Sequence, residues 1–146
     1  MTLKTAIVEL QTTQVIVCRA ETDRQNDIKA AWKKLESSLP TITGRQFYGL
    51  CYSDLTGSVY FAGVVPLHTE EIVSLGFPTL SLRGGRYARV KLKDWSKHLD
   101  QIPKLCDELC RAFEKDPTGP TVEYYRSQSE LHILVPLAQK QEKATG

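Results

Sequence analysis

Gly119-Pro-Thr-Val-Glu123-Tyr-Tyr-Arg126, the polar Ser127-Gln-Ser129, and Glu130-Leu-His-Ile-Leu-Val-Pro-Leu137 decide the fold reading. Two short runs of β-branched, aromatic and aliphatic residues flank a polar turn, the pattern of a β-hairpin. Alternation along the first arm puts Thr121, Glu123 and Tyr125 on one face and Val122 and Tyr124 on the other. Glu123 is therefore a charge inside a strand that shares its face with a tyrosine. The default for such a residue is solvation or a cross-strand basic partner.

The same grammar occurs twice along the chain. Thr5 to Ala20 reads as an extended segment bent near Gln11 to Gln14. Thr22 and Asp23 offer N-cap side chains to a helix whose apolar stripe is Ile28, Ala31, Trp32, Leu35 and Leu39, stopped by Pro40. Phe47 to Ser53 and Val59 to Val65 form a hairpin around Asp54-Leu-Thr-Gly57. A loop is expected over residues 67–78. Thr79 to Leu92 then reads as one β-rich run with a bulge or close approach at Gly84-Gly85. The second helix carries Leu99, Ile102, Cys106, Leu109 and Phe113, with Pro103 at a late or bent start and Asp116-Pro-Thr-Gly119 after its end. The two hairpins end alike, in Val64-Val65-Pro66-Leu67 and Leu134-Val135-Pro136-Leu137. Two β-α-β-β units result, over about residues 5–67 and 79–137. The expectation is an α+β fold in which the duplicated units pool their strands into an antiparallel sheet assembly, with two helices on one face and a central ligand groove where the units meet. Residues 1–137 are expected to make one domain, followed by the polar tail 138–146.

Composition bounds the function. At 146 residues the chain can bury a core without disulfides, and 25% charged residues with a net charge of +2 are ordinary for a globular protein. Arg83, Arg86, Arg89, Lys91 and Lys93 read as the solvated face of an exposed strand. No stretch is left for a helix-turn-helix, so direct nucleic-acid binding is not expected. Cys18, Cys51, Cys106 and Cys110 form no C-x-x-C pair and look like small core residues of a reduced, cytoplasmic protein. His68, His98 and His132 lie far apart, no metal site is expected, and no apolar run is long enough to span a membrane. No nucleophile elbow, phosphate loop or metalloprotease motif is present, and no cofactor is expected.

The chain resembles the GyrI-like effector-binding domains of BmrR-type and Rob-type regulators. The resemblance covers nearly all of it, through Val17-Cys18-Arg19, the helix with Ile28, Trp32 and Leu35, Tyr48-Gly49-Leu50 and Tyr60-Phe61-Ala62-Gly63-Val64. In the second half it rests on Gly85-Arg86-Tyr87-Ala88, Pro120-x-x-Glu123-x-Tyr125 and Val135-Pro136. Lys91-Leu92-Lys93-Asp94-Trp95 departs from the family, which often has a glycine there, so the approach to the second helix is expected to differ. The resemblance implies a groove for hydrophobic, aromatic and cationic small molecules, with Glu123 meeting the positive charge among rings; with no helix-turn-helix, the chain is expected to be a stand-alone binding domain. Tyr48, Tyr60, Tyr87 and Tyr125 are the candidate rings, with Trp32 and Trp95 from the helix and the approach to the second helix. Alternation separates Tyr48, Leu50 and Tyr52 from Phe47, Gly49 and Cys51 without saying which set lines the groove. The alternative implied by the resemblance is a hydrolase that opens strained electrophilic rings with Glu123 and a tyrosine, Tyr87 being the candidate. A protein partner or a homodimer stays open.

Overall fold

A computed structural model describes residues 4–138. The elements are β1 (Thr5–Leu10), β2 (Thr13–Arg19), α1 (Gln25–Ser38), β3 (Phe47–Asp54), β4 (Gly57–Val64), α2 (Glu70–Leu75), β5 (Thr79–Leu82), β6 (Gly85–Lys93), α3 (Gln101–Ala112), β7 (Thr121–Tyr125) and β8 (Glu130–Pro136), with a 3-10 turn at Trp95–Lys97. The eight strands form one antiparallel sheet in the order β1-β6-β8-β7-β3-β4-β2-β5. The order is palindromic. One unit supplies β3, β4 and β2, the other β7, β8 and β6, and the units join at β3 and β7. The fold is thus the α+β arrangement expected of a duplicated β-α-β-β chain.

The extended runs at the start of each unit depart from expectation. Each is two strands at opposite ends of the sheet: β1 leaves β2 to edge β6, and β5 leaves β6 to edge β2. Links of two residues, Gln11-Thr12 and Arg83-Gly84, join strands that lie far apart in the sheet order. Links so short can span that distance only if the sheet rolls up and brings its ends together. The links indeed touch: the Gly84 N–H donates to the Thr12 hydroxyl at 3.1 Å, and a Cβ at Gly84 would overlap the Thr12 nitrogen and the Leu10 carbonyl. A close approach at Gly84 was legible; its partner was not.

Rolling gives the sheet a self-covered inner face, where Val15, Val17, Leu50, Leu82, Tyr87, Val122 and Leu134 form one buried cluster. The outer face takes the helices. Ala31 and Leu35 of α1 pack on Ile16, Cys18, Tyr60, Ala62 and Val64, while Leu109 of α3 packs on Ala88, Val90, Leu92, Leu131, Ile133 and Val135. Each fully buried aliphatic or aromatic side chain contributes about 1.5–3 kcal/mol through removal from water. With α1 over β2 and β4 and α3 over β6 and β8, the outer face of β3 and β7 lies between the helices.

Several local expectations are corrected. The 67–78 connection contains α2, whose Ile72 and Leu75 pack against the α1 cluster. It is held by a buried ion pair: Arg45 donates both terminal nitrogens to Glu71 at 3.0 and 2.6 Å, and the Leu67 N–H adds a bond at 2.8 Å. Thr22 and Asp23 do not cap α1; Arg24 stands at the N-cap, and the Thr22 hydroxyl bonds the Arg24 N–H and the Asp27 carboxylate. Only Cys18 is fully buried; Cys51 and Cys106 are half-buried and Cys110 is exposed. Apart from Ala138, the polar tail lies outside the described residues.

Candidate functional site

At the centre of the sheet, β3 and β7 run antiparallel with Gly49 opposite Glu123. Alternation then brings Phe47, Gly49 and Cys51 to the outer face beside Thr121, Glu123 and Tyr125, and Tyr60 of β4 joins them. Phe47, Gly49 and Cys51, rather than Tyr48, Leu50 and Tyr52, therefore share the face of Glu123. Gly49 is buried, and a Cβ there would overlap both the Tyr60 hydroxyl and Oε1 of Glu123. The bare backbone makes room for the carboxylate and phenol above it.

Hydrogen bonds tie the cluster together. The Tyr60 hydroxyl donates to Glu123 Oε1 at 2.8 Å and the Tyr125 hydroxyl to the same oxygen at 2.9 Å. The Trp32 indole N–H donates to the Tyr60 oxygen at 3.0 Å. Glu123 is half-buried, and among the described residues no Lys, Arg or His forms an ion pair with it. Burial pushes its carboxyl above the ordinary carboxylate range, against the two tyrosine bonds that favour the charged form. Its charge is felt nearby. Burial and then the Glu123 charge hold Tyr60 and Tyr125 well above the usual phenol range. The Cys106 thiol of α3 is pushed up to about 12 by burial first and Glu123 second, so it stays protonated and a poor nucleophile.

Next to this cluster opens a cavity of about 450 Å3 lined by Trp32, Phe47, Trp95 and Tyr125, with Glu36, Arg45 and Arg126 among its polar residues. Tyr125 packs edge-on between the two tryptophans, at ring centroid distances of 5.3 Å from Trp32 and 5.1 Å from Trp95. Trp95 reaches this position because Asp94 adopts a left-handed conformation (φ 52°), which turns the chain out of β6 into the 3-10 turn. Its indole then donates to the Ser127 carbonyl at 3.0 Å.

Of the seven candidate residues, five come together: Glu123, Tyr60, Tyr125 and Trp32 through hydrogen bonds, and Trp95 through its ring contact. Tyr48 and Tyr87 do not. Both point to the inner face: Tyr48 stacks on Tyr124 at 5.0 Å, and Tyr87 is fully buried with its hydroxyl donating to the Arg83 carbonyl. Tyr87 therefore cannot act with Glu123, and a tyrosine partner for that carboxylate is Tyr60 or Tyr125. Phe47, Gly49, Cys51, Cys106 and Arg126 were not among the candidates. Alternation grouped Phe47, Gly49 and Cys51, but only the β3–β7 pairing ties that group to Glu123.

No protein-family model matches the sequence, and no curated protein matches it either. Solved structures share its fold. An integron cassette protein from the mobile metagenome of Vibrio cholerae superposes with a TM-score of 0.70 at 18% identity, covering 92% of this chain and 95% of that one. SAV2435, solved bound to tetraphenylphosphonium, superposes with a TM-score of 0.66 at 14% identity over 93% and 94% of the two chains. The C-terminal domain of EcmrR gives 0.63 at 15% identity over 96% and 100%. The chain thus has the fold of these proteins. Among the described residues no helix is long and apolar enough to cross a membrane, and no group of three or more His, Cys, Asp or Glu side chains could hold a metal ion.

Proposed function

We propose that this chain is a GyrI-like binding domain, over residues 1–137, for aromatic, cationic small molecules. Its site is the groove between α1 and α3. The observation that carries the reading is Glu123, a half-buried carboxylate with no basic partner among the described residues, held by two tyrosines beside a cavity with four aromatic walls. A carboxylate drawn partly out of water gains most from a partner of opposite charge, and a lipophilic cation supplies one while its rings enter the cavity. Each ring face near the cation adds roughly 0.5–2 kcal/mol. A neutral molecule of the same shape leaves the carboxylate uncompensated, so the site discriminates by charge. That SAV2435 holds tetraphenylphosphonium supports the reading by analogy of fold.

Both tryptophans of the chain line the cavity, so binding is read directly as a change in their fluorescence. A rhodamine-type dye titrated into the purified protein should bind, and Glu123→Gln should weaken binding by about tenfold or more. Equal affinity in the two proteins removes Glu123 from the account.

A second reading is hydrolysis of a strained electrophilic ring. The observation favouring it is the raised carboxyl of Glu123 beside the Tyr60 and Tyr125 hydroxyls, a base and two donors in one cluster. Turnover that is lost in Glu123→Gln while binding persists would move the assignment there.

A further inference from the structure

Resting on Glu123 as the cation-binding group, we propose that the site selects cations carrying an N–H, namely protonated amines on an aromatic frame, over quaternary cations of the same frame. The carboxylate is used unequally. Trp32 can only donate, so its bond to the Tyr60 oxygen commits the Tyr60 proton to Glu123, and Tyr125 adds its own. Both protons go to Oε1, which fills the two lone-pair directions of that oxygen. No described residue donates to Oε2, and no described side chain pairs with the carboxylate as a cation. Oε2 is thus the acceptor left to a ligand.

A quaternary ammonium meets the charge of Glu123 through its C–H surface only, and Oε2 gains no donor from it. An ammonium N–H meets the charge and the acceptor together, in a short charge-assisted hydrogen bond. The aromatic frame occupies the same cavity between Trp32, Phe47, Trp95 and Tyr125 in either case. Shape and charge being alike, one hydrogen bond separates the two ligand classes.

The matched probes are dimethyl(naphthylmethyl)amine and its N-methylated product, trimethyl(naphthylmethyl)ammonium, both cationic at neutral pH. Calorimetry and tryptophan fluorescence should show the amine binding at least about tenfold more tightly. In Glu123→Gln both should weaken and the gap should close to within about threefold. A gap that survives in the variant overturns the proposal, because it then reflects crowding by the extra methyl group. Equal affinities in the wild type, both weakened by Glu123→Gln, overturn N–H selection and leave cation binding standing. Failure of both probes to bind overturns the two together.

Discussion

At the residue scale, the site depends on a side chain that is missing. Gly49 lies where a methyl group would overlap both Glu123 Oε1 and the Tyr60 hydroxyl, so Gly49→Ala forces one of them off its position. Overpacking of this kind costs about 1–3 kcal/mol, measurable by denaturant unfolding, and dye affinity should fall with it. Titration of Glu123 gives a signed expectation. Its carboxyl lies above the ordinary 4.5, so its contribution to stability is full below 4.5 and is lost as pH rises through the folded value. Affinity for a permanent cation runs the other way, rising with pH as the carboxylate ionises. Tyr60→Phe removes one of the bonds that favour the ionised form, so the midpoint of that rise should move to higher pH. A pH series of tetraphenylphosphonium affinities in the two proteins checks it; an unmoved midpoint contradicts the role given to the hydroxyl.

At the scale of elements, α2 is anchored by electrostatics, and its pH dependence has the opposite sign. Hydrogen bonds from Arg45 and Leu67 hold the Glu71 carboxyl down to about 2. Its stabilisation is present above the ordinary 4.5 and is lost as pH falls toward about 2. Glu71→Gln leaves the guanidinium buried without its counter-charge, and a loss of about 3–5 kcal/mol at neutral pH is expected from chemical denaturation. In that variant the acid-side loss should also flatten. The helix stripes and both hairpins were legible because periods of 3.6 and 2 mark buried faces directly. The buried pair was not, since Arg45 and Glu71 are 26 positions apart and each looks like an ordinary surface charge in sequence. Nor was α2 visible, a six-residue helix being too short to show a period.

At the scale of the molecule, duplication was legible in the twin hairpin endings, but the exchange of leading strands was not. Gln11-Thr12 contains neither glycine nor proline, so nothing local announces that β1 and β2 part to opposite ends of the sheet. The roll that follows puts Tyr48 and Tyr87 inside and Tyr60 and Tyr125 outside, a sorting that strand alternation alone could not give. Gly84→Val tests it: a side chain driven into the Thr12 nitrogen and the Leu10 carbonyl should loosen the seam, seen as faster amide exchange in β1 and β5 before the central strands. Whether a cation sits at Glu123, between the two units, is read most directly from a crystal structure of the protein with tetraphenylphosphonium. The cation is expected on the outer face, its charge beside Glu123 and a phenyl ring among Trp32, Phe47, Trp95 and Tyr125. Density for the cation on the inner face, against Tyr48 and Tyr124, would contradict it.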